Sequence, residues 1–253
     1  MYLLAKKLVR ALYPYGAIRT LLLGPLRGSK FVVAPSMGLT FAFGNDAMNW
    51  YFLGSKIATG DVVYDIGGNR GQMSLFFSKV VGYQGHVFSF EPVRELMDIA
   101  NKNFRLNDCK NIKMHNIALA DSDGVASFDF SEQLSTQGKL VDVENSYRPG
   151  HSSLPFEVPT RSLDSMMLDG SLTIPKPLKI DVEGGAGQVI EGAQNLLRDV
   201  GPEIYGELHG PEEQRSVDSL RGLGYELYDL QGNEIGDLMA RWVSPVWCQK
   251  KLV

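Results

Sequence analysis

Short apolar runs alternate along the chain with longer segments in which apolar residues recur every three or four positions. The runs at 62–66, 86–90 and 177–182 are rich in β-branched and aromatic residues, which is typical of buried strands. The segments between them, such as 73–80, have the spacing of a helix with one apolar face. Alternating strands and helices predict an α/β doubly wound fold, with a mostly parallel sheet and helices on both faces.

The remaining elements follow from the same patterning. Strands are expected at 111–119, 125–130 and 203–209, and helices at 93–107, 186–197 and 212–223. Two closing apolar runs, 225–230 and 239–248, flank a polar Gln-Gly-Asn turn and are expected to pair as an antiparallel hairpin at one side of the sheet. The closing part of the sheet should therefore be antiparallel.

One stretch, 131–157, lacks this patterning. It is polar, rich in serine and glycine, and longer than a typical connection. Such a loop fits an active-site cover that selects the substrate, and it fits a surface insertion equally well. The sequence leaves both interpretations open.

The chain begins with a basic and partly apolar extension, which we assign to residues 1–44, ahead of a single domain at 45–253. Six basic residues precede the first acid, Asp46: Lys6, Lys7, Arg10, Arg19, Arg27 and Lys30. A helix with leucines along one side could pack on the domain, or it could make a peripheral membrane contact. Its uncharged runs are too short to span a bilayer.

Composition narrows the class of protein. Apolar residues make up 44% of the chain and charged residues 21%, as in soluble globular domains. The two cysteines, Cys109 and Cys248, lie far apart without metal-ligand spacing, which favours a reducing, cytoplasmic setting. The net charge of −4, with an acidic body and no Asn-Pro-Pro-Tyr pattern, argues against a nucleic-acid partner.

Four acids stand at, or just beyond, the carboxyl ends of predicted strands: Asp65, Glu91, Asp181 and Glu207. In a doubly wound sheet, ligands bind at this edge, near the point where the strand order reverses. We therefore expect the four acids to gather around one site.

The segment from Asp65 to Gly71 follows the first predicted strand and has acid, glycine, asparagine and glycine at alternate positions. Glycine allows a sharp turn and close approach to a ligand. Asp65 would repel a pyrophosphate but suits a cationic ligand, and Glu91 is placed to accept hydrogen bonds from ribose hydroxyls. S-adenosylmethionine has an ammonium, a sulfonium and a ribose but no phosphate, so it fits this pattern.

Five motifs in order resemble the FkbM family of S-adenosylmethionine-dependent methyltransferases. They are Asp-Ile-Gly-Gly-Asn-Arg-Gly at 65–71, Phe-Glu-Pro at 90–92, Asn-Ile-Ala-Leu at 116–119, Val-Pro-Thr-Arg-Ser-Leu-Asp at 158–164 and Lys-Ile-Asp-Val-Glu-Gly at 179–184. The resemblance covers most of residues 45–235. It implies the class I methyltransferase fold with a seven-stranded sheet, and O-methylation of hydroxyl groups on natural products, sugars or lipids.

The resemblance also implies roles for individual positions. The cofactor-binding residues would be Asp65, Gly67, Gly68, Asn69, Gly71, Glu91, Pro92, Ala118 and Leu119. Within this set the turn would contact the methionine part, Glu91 the ribose, and Ala118 with Leu119 the adenine. Asp181 would lie nearest the transferable methyl group.

Two positions depart from the family pattern. Gly68 stands where family members often have alanine, a change that a turn should tolerate. Ala186 stands where the family usually has an acid, which would alter the acceptor or the activity if that acid contacts a substrate or metal.

Methyl transfer to a hydroxyl needs a group that accepts the proton, and four residues near the fourth and fifth strand ends qualify: Asp181, Glu183, Glu207 and His209. His209 has the most suitable ordinary pKa, although a polar loop histidine before Gly210 is an equally good interpretation. Asp181, Glu207 and His209 could also hold a divalent cation. A metal is not expected, because no compact ligand motif is present.

The expected function is therefore O-methylation of a sugar, a lipid-linked saccharide or a small natural product. A catalytically degenerate binding protein with the same fold is the alternative suggested by Ala186. An NAD-linked oxidoreductase would share the fold and Glu91, but it should carry Gly-x-Gly-x-x-Gly after the first strand.

Overall fold

The computed structural model describes residues 13–34, 47–130, 138–140, 155–182, 184–208, 213–236 and 245–251. In chain order, the described strands are β1 (Ile18–Thr20), β2 (Lys30–Val32), β3 (Val62–Ile66), β4 (His86–Phe90), β5 (Ile112–His115), β6 (Ala118–Leu119), β7 (Gly124–Phe130), β8 (Gly138–Leu140), β9 (Phe156–Arg161), β10 (Pro177–Ile180), β11 (Glu203–Gly206), β12 (Tyr225–Tyr228) and β13 (Val246–Lys250). The helices are α1 (Ala47–Ser55), α2 (Gln72–Val81), α3 (Arg94–Leu106), α4 (Leu163–Leu168), α5 (Ala186–Glu191) and α6 (Gln214–Gly222), with a π-helical segment at Leu196–Val200.

The central sheet has seven strands in the order β12, β13, β11, β10, β3, β4, β5. The five strands β11, β10, β3, β4 and β5 are parallel to one another. Strand β13 is antiparallel to both β11 and β12. The α/β doubly wound, mostly parallel, seven-stranded prediction is confirmed, as is the antiparallel pairing of the two closing runs. The chain runs outward from β3 to β5 and then returns to β10 on the other side of β3, so the strand order reverses between β3 and β10.

Two apolar layers cover the two faces of this sheet. One contains Leu75 and Phe77 of α2 together with Phe104 of α3, and the other contains Val189 and Ile190 of α5. The second layer belongs to the helix predicted over 186–197, which the structure divides into α5 and the π-helical segment. Successive strand residues point to opposite faces, so strands such as β3 and β4 contribute to both layers.

The single strand predicted at 111–119 is wrong, because the structure forms two strands there. β5 belongs to the central sheet, whereas β6 belongs to a second sheet with the order β6, β9, β7, β8. Between them, the Asn116 side-chain amide donates to the carbonyls of Glu91 and Pro92, at 2.9 and 2.8 Å. These bonds hold the chain at the end of β4 instead of letting it continue along β5.

The stretch 131–157 was predicted to be a loop throughout, and this is wrong where the structure describes it. Strand β8 pairs with β7, and β9 begins at Phe156 and also pairs with β7. Residues 131–137 and 141–154 lie outside the described residues, so a role as active-site cover stays a prediction.

The described part of the N-terminal extension is a hairpin of β1 and β2. It packs beside α3, where the Val32 amide donates to Asn103 Oδ1 at 2.9 Å, and it buries Leu21, Leu26 and Phe31. The predicted leucine-lined helix falls on residues outside the described part, and the division at residue 44 stays a prediction. Within the described ranges, no helix has the length and apolar character needed to cross a bilayer.

Candidate functional site

The turn between β3 and α2 is built for close approach of the backbone. Gly67 and Gly71 have φ angles of +81° and +80°, and Asn69 has +48°. A Cβ atom on Gly67 would lie 2.0 Å from the carbonyl oxygen of Asp181, and one on Gly71 would lie 2.5 Å from the Phe104 ring. Both glycines are therefore required by conformation and by the neighbouring elements.

The end of β4 holds this turn through hydrogen bonds. The amides of Gly67 and Gly68 both donate to the carbonyl of Phe90, at 3.1 and 2.9 Å. The next amide, of Asn69, donates to Glu91 Oε2 at 2.9 Å. Gly68 also lies against β4, because a Cβ atom there would lie 2.1 Å from Ser89 Oγ. Gly68 is therefore closely fitted to β4, and alanine there would require Ser89 to move.

Asp65 is fully buried beneath the turn. Its Oδ2 accepts a hydrogen bond from Ser74 Oγ at 2.5 Å, and its Oδ1 lies 3.1 Å from Lys179 Nζ. These contacts anchor the first turn of α2 and the neighbouring strand β10. The Asp65 side chain therefore joins β3 to α2 and β10. Its contact with the methionine part of a cofactor stays a prediction.

Glu91 is 5% exposed, directly after β4. Its two oxygens accept hydrogen bonds from the amides of Asn69 and Val93, both at 2.9 Å. Burial raises the pKa of Glu91 to about 7, although these two hydrogen bonds and the charge of Lys179 lower it. A carboxylate oxygen can accept more than one hydrogen bond, so the predicted contact with ribose hydroxyls is compatible with this geometry.

The two residues expected beside the adenine, Ala118 and Leu119, form β6 and are each 6% exposed. Leu119 belongs to the apolar layer that contains α5, and Ala118 packs with Val93 and Leu96. Pro92 lies between Glu91 and Val93 and is half-buried. Neighbouring elements thus form an apolar border next to Glu91, and adenine binding there stays a prediction.

At the ends of β10 and β11, the structure brings Asp181 and Glu207 around a buried lysine. Lys179 Nζ lies 3.3 Å from Asp181 Oδ2. Burial by itself would lower the pKa of Lys179, but the charges of Asp65, Asp181 and Glu207 raise it above its ordinary value, so the side chain is a cation. Asp181 and Glu207 are half-buried, and Glu207 Oε1 accepts a hydrogen bond from the Tyr205 hydroxyl at 3.2 Å.

Lys179 was not among the predicted site residues, although it belongs to one of the recognised motifs. The signal for it was a lysine within the otherwise apolar strand Pro177–Ile180. Lysine is almost never fully buried unless it is paired, so that position alone indicated an acidic partner.

Two of the predicted catalytic residues, Glu183 and His209, lie outside the described residues, and their roles stay predictions. Across the described ranges, no group of three or more histidine, cysteine, aspartate or glutamate residues could hold a metal ion. Metal binding that involves His209 is not tested by this geometry. Ala186, which replaces the usual acid, is 1% exposed within the apolar layer, so an acid at this position would be buried among apolar side chains.

The chain is similar in sequence to a known methyltransferase. The chain is 28% identical over 160 residues to the hexuronic acid methyltransferase AglP of Haloferax volcanii, an alignment that covers 63% of this chain and 61% of that protein. The chain thus spans less than two thirds of that relative.

A crystal structure of a methyltransferase FkbM from Methylobacillus flagellatus superposes with a TM-score of 0.50 at 14% identity. The superposition covers 74% of this chain and 43% of that one. At this identity the likeness concerns the fold, which is that of the class I methyltransferases. The model of the methyltransferase FkbM domain matches residues 65–234, which include the glycine turn, Glu91, Lys179 and Asp181. The chain therefore belongs to the FkbM methyltransferase family.

Proposed function

We propose that this protein is an S-adenosylmethionine-dependent methyltransferase whose acceptor is a hydroxyl oxygen of a sugar. The observation that carries the proposal is the meeting of the glycine turn, Glu91 and Asp181 at the point where the strand order of the sheet reverses. In a doubly wound sheet, this is the place where ligands bind. Family membership adds the class of reaction.

The charge around the turn favours this cosubstrate over a dinucleotide. Asp65 lies beneath the turn. Glu91 accepts a hydrogen bond from the Asn69 amide, which a phosphate would otherwise use as a donor. Because Glu91 already takes the Asn69 amide, the turn has one donor fewer for a phosphate, and the ionised Glu91 side chain repels a pyrophosphate. An NAD-linked oxidoreductase is therefore the weaker proposal.

The other half of the site can supply the proton acceptor. When bound, S-adenosylmethionine supplies an electrophilic methyl group: its carbon–sulfur bond breaks as the bond to the acceptor oxygen forms, and sulfur leaves as a neutral thioether. The hydroxyl proton must pass to a base. Asp181 and Glu207 are half-buried carboxyls at adjoining strand ends and can accept it, and Glu183 and His209 are further candidates from the sequence.

The acceptor class rests on the relative and on charge. AglP is a hexuronic acid methyltransferase, and a hexuronic acid has both hydroxyl oxygens and a carboxylate oxygen that could accept a methyl group. Asp181 and Glu207 would repel a carboxylate held close to them, which favours a hydroxyl as the nucleophile. We therefore place a sugar ahead of a small natural product, and we keep a lipid-linked saccharide as one form of it.

A cytoplasmic location with peripheral membrane contact completes the proposal. Support comes from the tip of the β1–β2 hairpin, where Leu22 and Leu23 are 64% and 49% exposed near the exposed Arg27. Apolar and basic side chains together favour an anionic bilayer. Sedimentation with anionic liposomes tests it: Leu22→Ser/Leu23→Ser should reduce binding, whereas Leu168→Ser, which alters an exposed leucine elsewhere, should not.

Thermal unfolding with added ligands tests the cosubstrate. At about 100 times Kd, S-adenosylmethionine or S-adenosylhomocysteine should add about 2.7 kcal/mol to the free energy of unfolding, and NAD should add nothing. Glu91→Ala should abolish the shift, whereas Glu95→Ala, which alters an exposed acid in the first turn of α3, should preserve it. A shift with NAD alone would overturn the proposal.

The acceptor is tested with glucuronic and galacturonic acid by measuring the release of S-adenosylhomocysteine. A methyl ether formed at a hydroxyl survives mild base, whereas a methyl ester formed at the carboxylate is hydrolysed. A base-stable product supports the hydroxyl acceptor, and a base-labile product would move the proposal to the carboxylate.

A further inference from the structure

The two halves of the site meet at one ammonium group. Lys179 and Asp65 are partners in the register of β10 and β3, the strands between which the strand order reverses. Lys179 is 3% exposed and its Nζ lies 3.1 Å from Asp65 Oδ1 and 3.3 Å from Asp181 Oδ2. A single cation thus contacts an acid beneath the cofactor turn and the acid nearest the acceptor side.

The same ammonium donates to the backbone of the cofactor turn. Lys179 Nζ lies 3.0 Å from the carbonyl oxygen of Gly67 and 3.4 Å from that of Ile66. The Gly67 amide on the other side of this residue donates to Phe90. Gly67 is therefore held at both its amide and its carbonyl, by β4 through one and by β10 through the other.

A structural counter-ion for Asp65 would not need all these contacts. A buried ion pair is weak evidence for stability, because the cost of removing both charges from water offsets much of their attraction. Asp181, in contrast, has a side chain that is 35% exposed, so the lysine reaches from the interior to the edge of the site. Lys179 thus connects the Asp65 carboxylate with the Asp181 carboxylate.

We propose that Lys179 is a positioning residue that fixes the Gly67 carbonyl and the Asp181 carboxylate with one ammonium, so that the cofactor turn and the acceptor side are ordered together. This inference rests on the proposed function. Without the ammonium, the Gly67 carbonyl loses a charged donor, and the peptide between Gly67 and Gly68 is held only by the Gly68 amide, which donates to Phe90. The turn would then be held less firmly in the position that the cosubstrate requires.

The test separates positioning from folding by removing the buried pair in two steps. Lys179→Met leaves Asp65 buried without its cation, and we expect a large fall in melting temperature. In Asp65→Asn/Lys179→Met the unpaired charge is gone, while the introduced amide oxygen can still accept from Ser74, so we expect the melting temperature to recover. Lys176→Met, which removes an ion pair with Asp61 from a side chain that is 54% exposed, is the matched control.

The readouts are the affinity for S-adenosylmethionine and the hydrogen exchange of the amides at 67–69. The reference for the double variant is Asp65→Asn alone, which keeps the ammonium on the Gly67 carbonyl and on Asp181. In the double variant we expect affinity about tenfold or more below that of Asp65→Asn and faster exchange, despite the recovered melting temperature. With the uronic acid acceptor, kcat should fall about 100-fold, as expected for a misplaced reacting group.

Recovery of affinity and exchange together with the melting temperature would show that Lys179 is only the counter-ion of Asp65 and would overturn the inference. If the wild-type chain binds neither S-adenosylmethionine nor S-adenosylhomocysteine, the proposed function fails, and the exchange measurement still decides whether Lys179 orders the turn.

Discussion

The candidate site has two halves, one at the ends of β3 and β4 and the other at the ends of β10 and β11. The acids of the two halves differ in burial and in hydrogen bonding. At the ends of β3 and β4, Asp65 and Glu91 are buried and take hydrogen bonds from Ser74 and from backbone amides. Asp181 and Glu207 directly follow β10 and β11, as Glu91 follows β4, but they remain half-buried. The acids of the first half hold the turn through hydrogen bonds, whereas the carboxyls of the second half are partly exposed. Equivalent placement on strands therefore does not imply an equivalent role.

If the first half is rigid because its backbone is tightly fitted, Gly67→Ala should have the largest effect on stability. The new Cβ would meet the Asp181 carbonyl at 2.0 Å in a residue with φ +81°, and we expect a loss of about 3 kcal/mol in the free energy of unfolding. Chemical denaturation measures it. Gly170→Ala has a similar φ, +74°, in open space and should cost about 1 kcal/mol. Equal losses at both positions would contradict the close fit.

The buried Glu91 should make the free energy of unfolding depend on pH. Its pKa is raised to about 7 in the folded protein from an ordinary value near 4.5, so its contribution to stability is complete below pH 4.5 and is lost as pH rises towards 7. The loss amounts to about 3 kcal/mol. Glu91→Gln should remove this dependence, as measured by denaturation at several pH values.

His115 opposes Glu91 over the same range. Burial, with a smaller contribution from Lys113, lowers the pKa of His115 to about 4, and its ring stacks on Phe90 with centroids 5.1 Å apart. Its contribution is present above pH 6.5 and is lost as pH falls towards 4. His115→Phe keeps the stacking and should make stability fall more steeply as pH rises, the reverse of Glu91→Gln. Slopes that change in the same direction would contradict one of the two assignments.

A smaller effect is expected at Gly68. Alanine here would place Cβ 2.1 Å from Ser89 Oγ, and we expect Gly68→Ala to cost about 2 kcal/mol. Ser89→Ala removes the contacting oxygen, so the double variant should recover about 1 kcal/mol or more of the loss, measured as a double-mutant cycle. Additive losses would show that the cost of alanine does not come from its contact with Ser89.

In the second half, Asp181→Asn should change stability least. The side chain is half-exposed and Lys179 keeps its contact with Asp65, so we expect a loss of less than about 1 kcal/mol. Methyl transfer should fall about 100-fold or more if Asp181 is the base. Asp169→Asn, which alters an exposed acid on another element, is the control. An active Asp181→Asn variant would leave Glu207, Glu183 and His209 as candidates.

The sequence was informative about elements whose pattern is local. Helices α2 and α3 and strands β3, β4, β10 and β11 follow from the spacing of apolar residues, and the turn follows from its glycines. The break between β5 and β6 was missed because it depends on Asn116. The side-chain amide of this residue donates hydrogen bonds to carbonyls that lie more than twenty residues away in sequence. Lys179 was assigned no role for a similar reason: its partners Asp65, Ile66 and Gly67 lie on or next to β3, which is distant in sequence.

The periods of strands and helices and the order of motifs can be read locally along the chain, so they were enough to predict the doubly wound fold, the family and the edge of the sheet where four acids lie. The tertiary structure was needed to show that Asp65 and Glu91 are buried beneath the turn while Asp181 and Glu207 are half-buried. It was also needed to show that Lys179 contacts one acid of each pair. These features depend on which strands become neighbours, and β10 pairs with β3 across more than one hundred intervening residues.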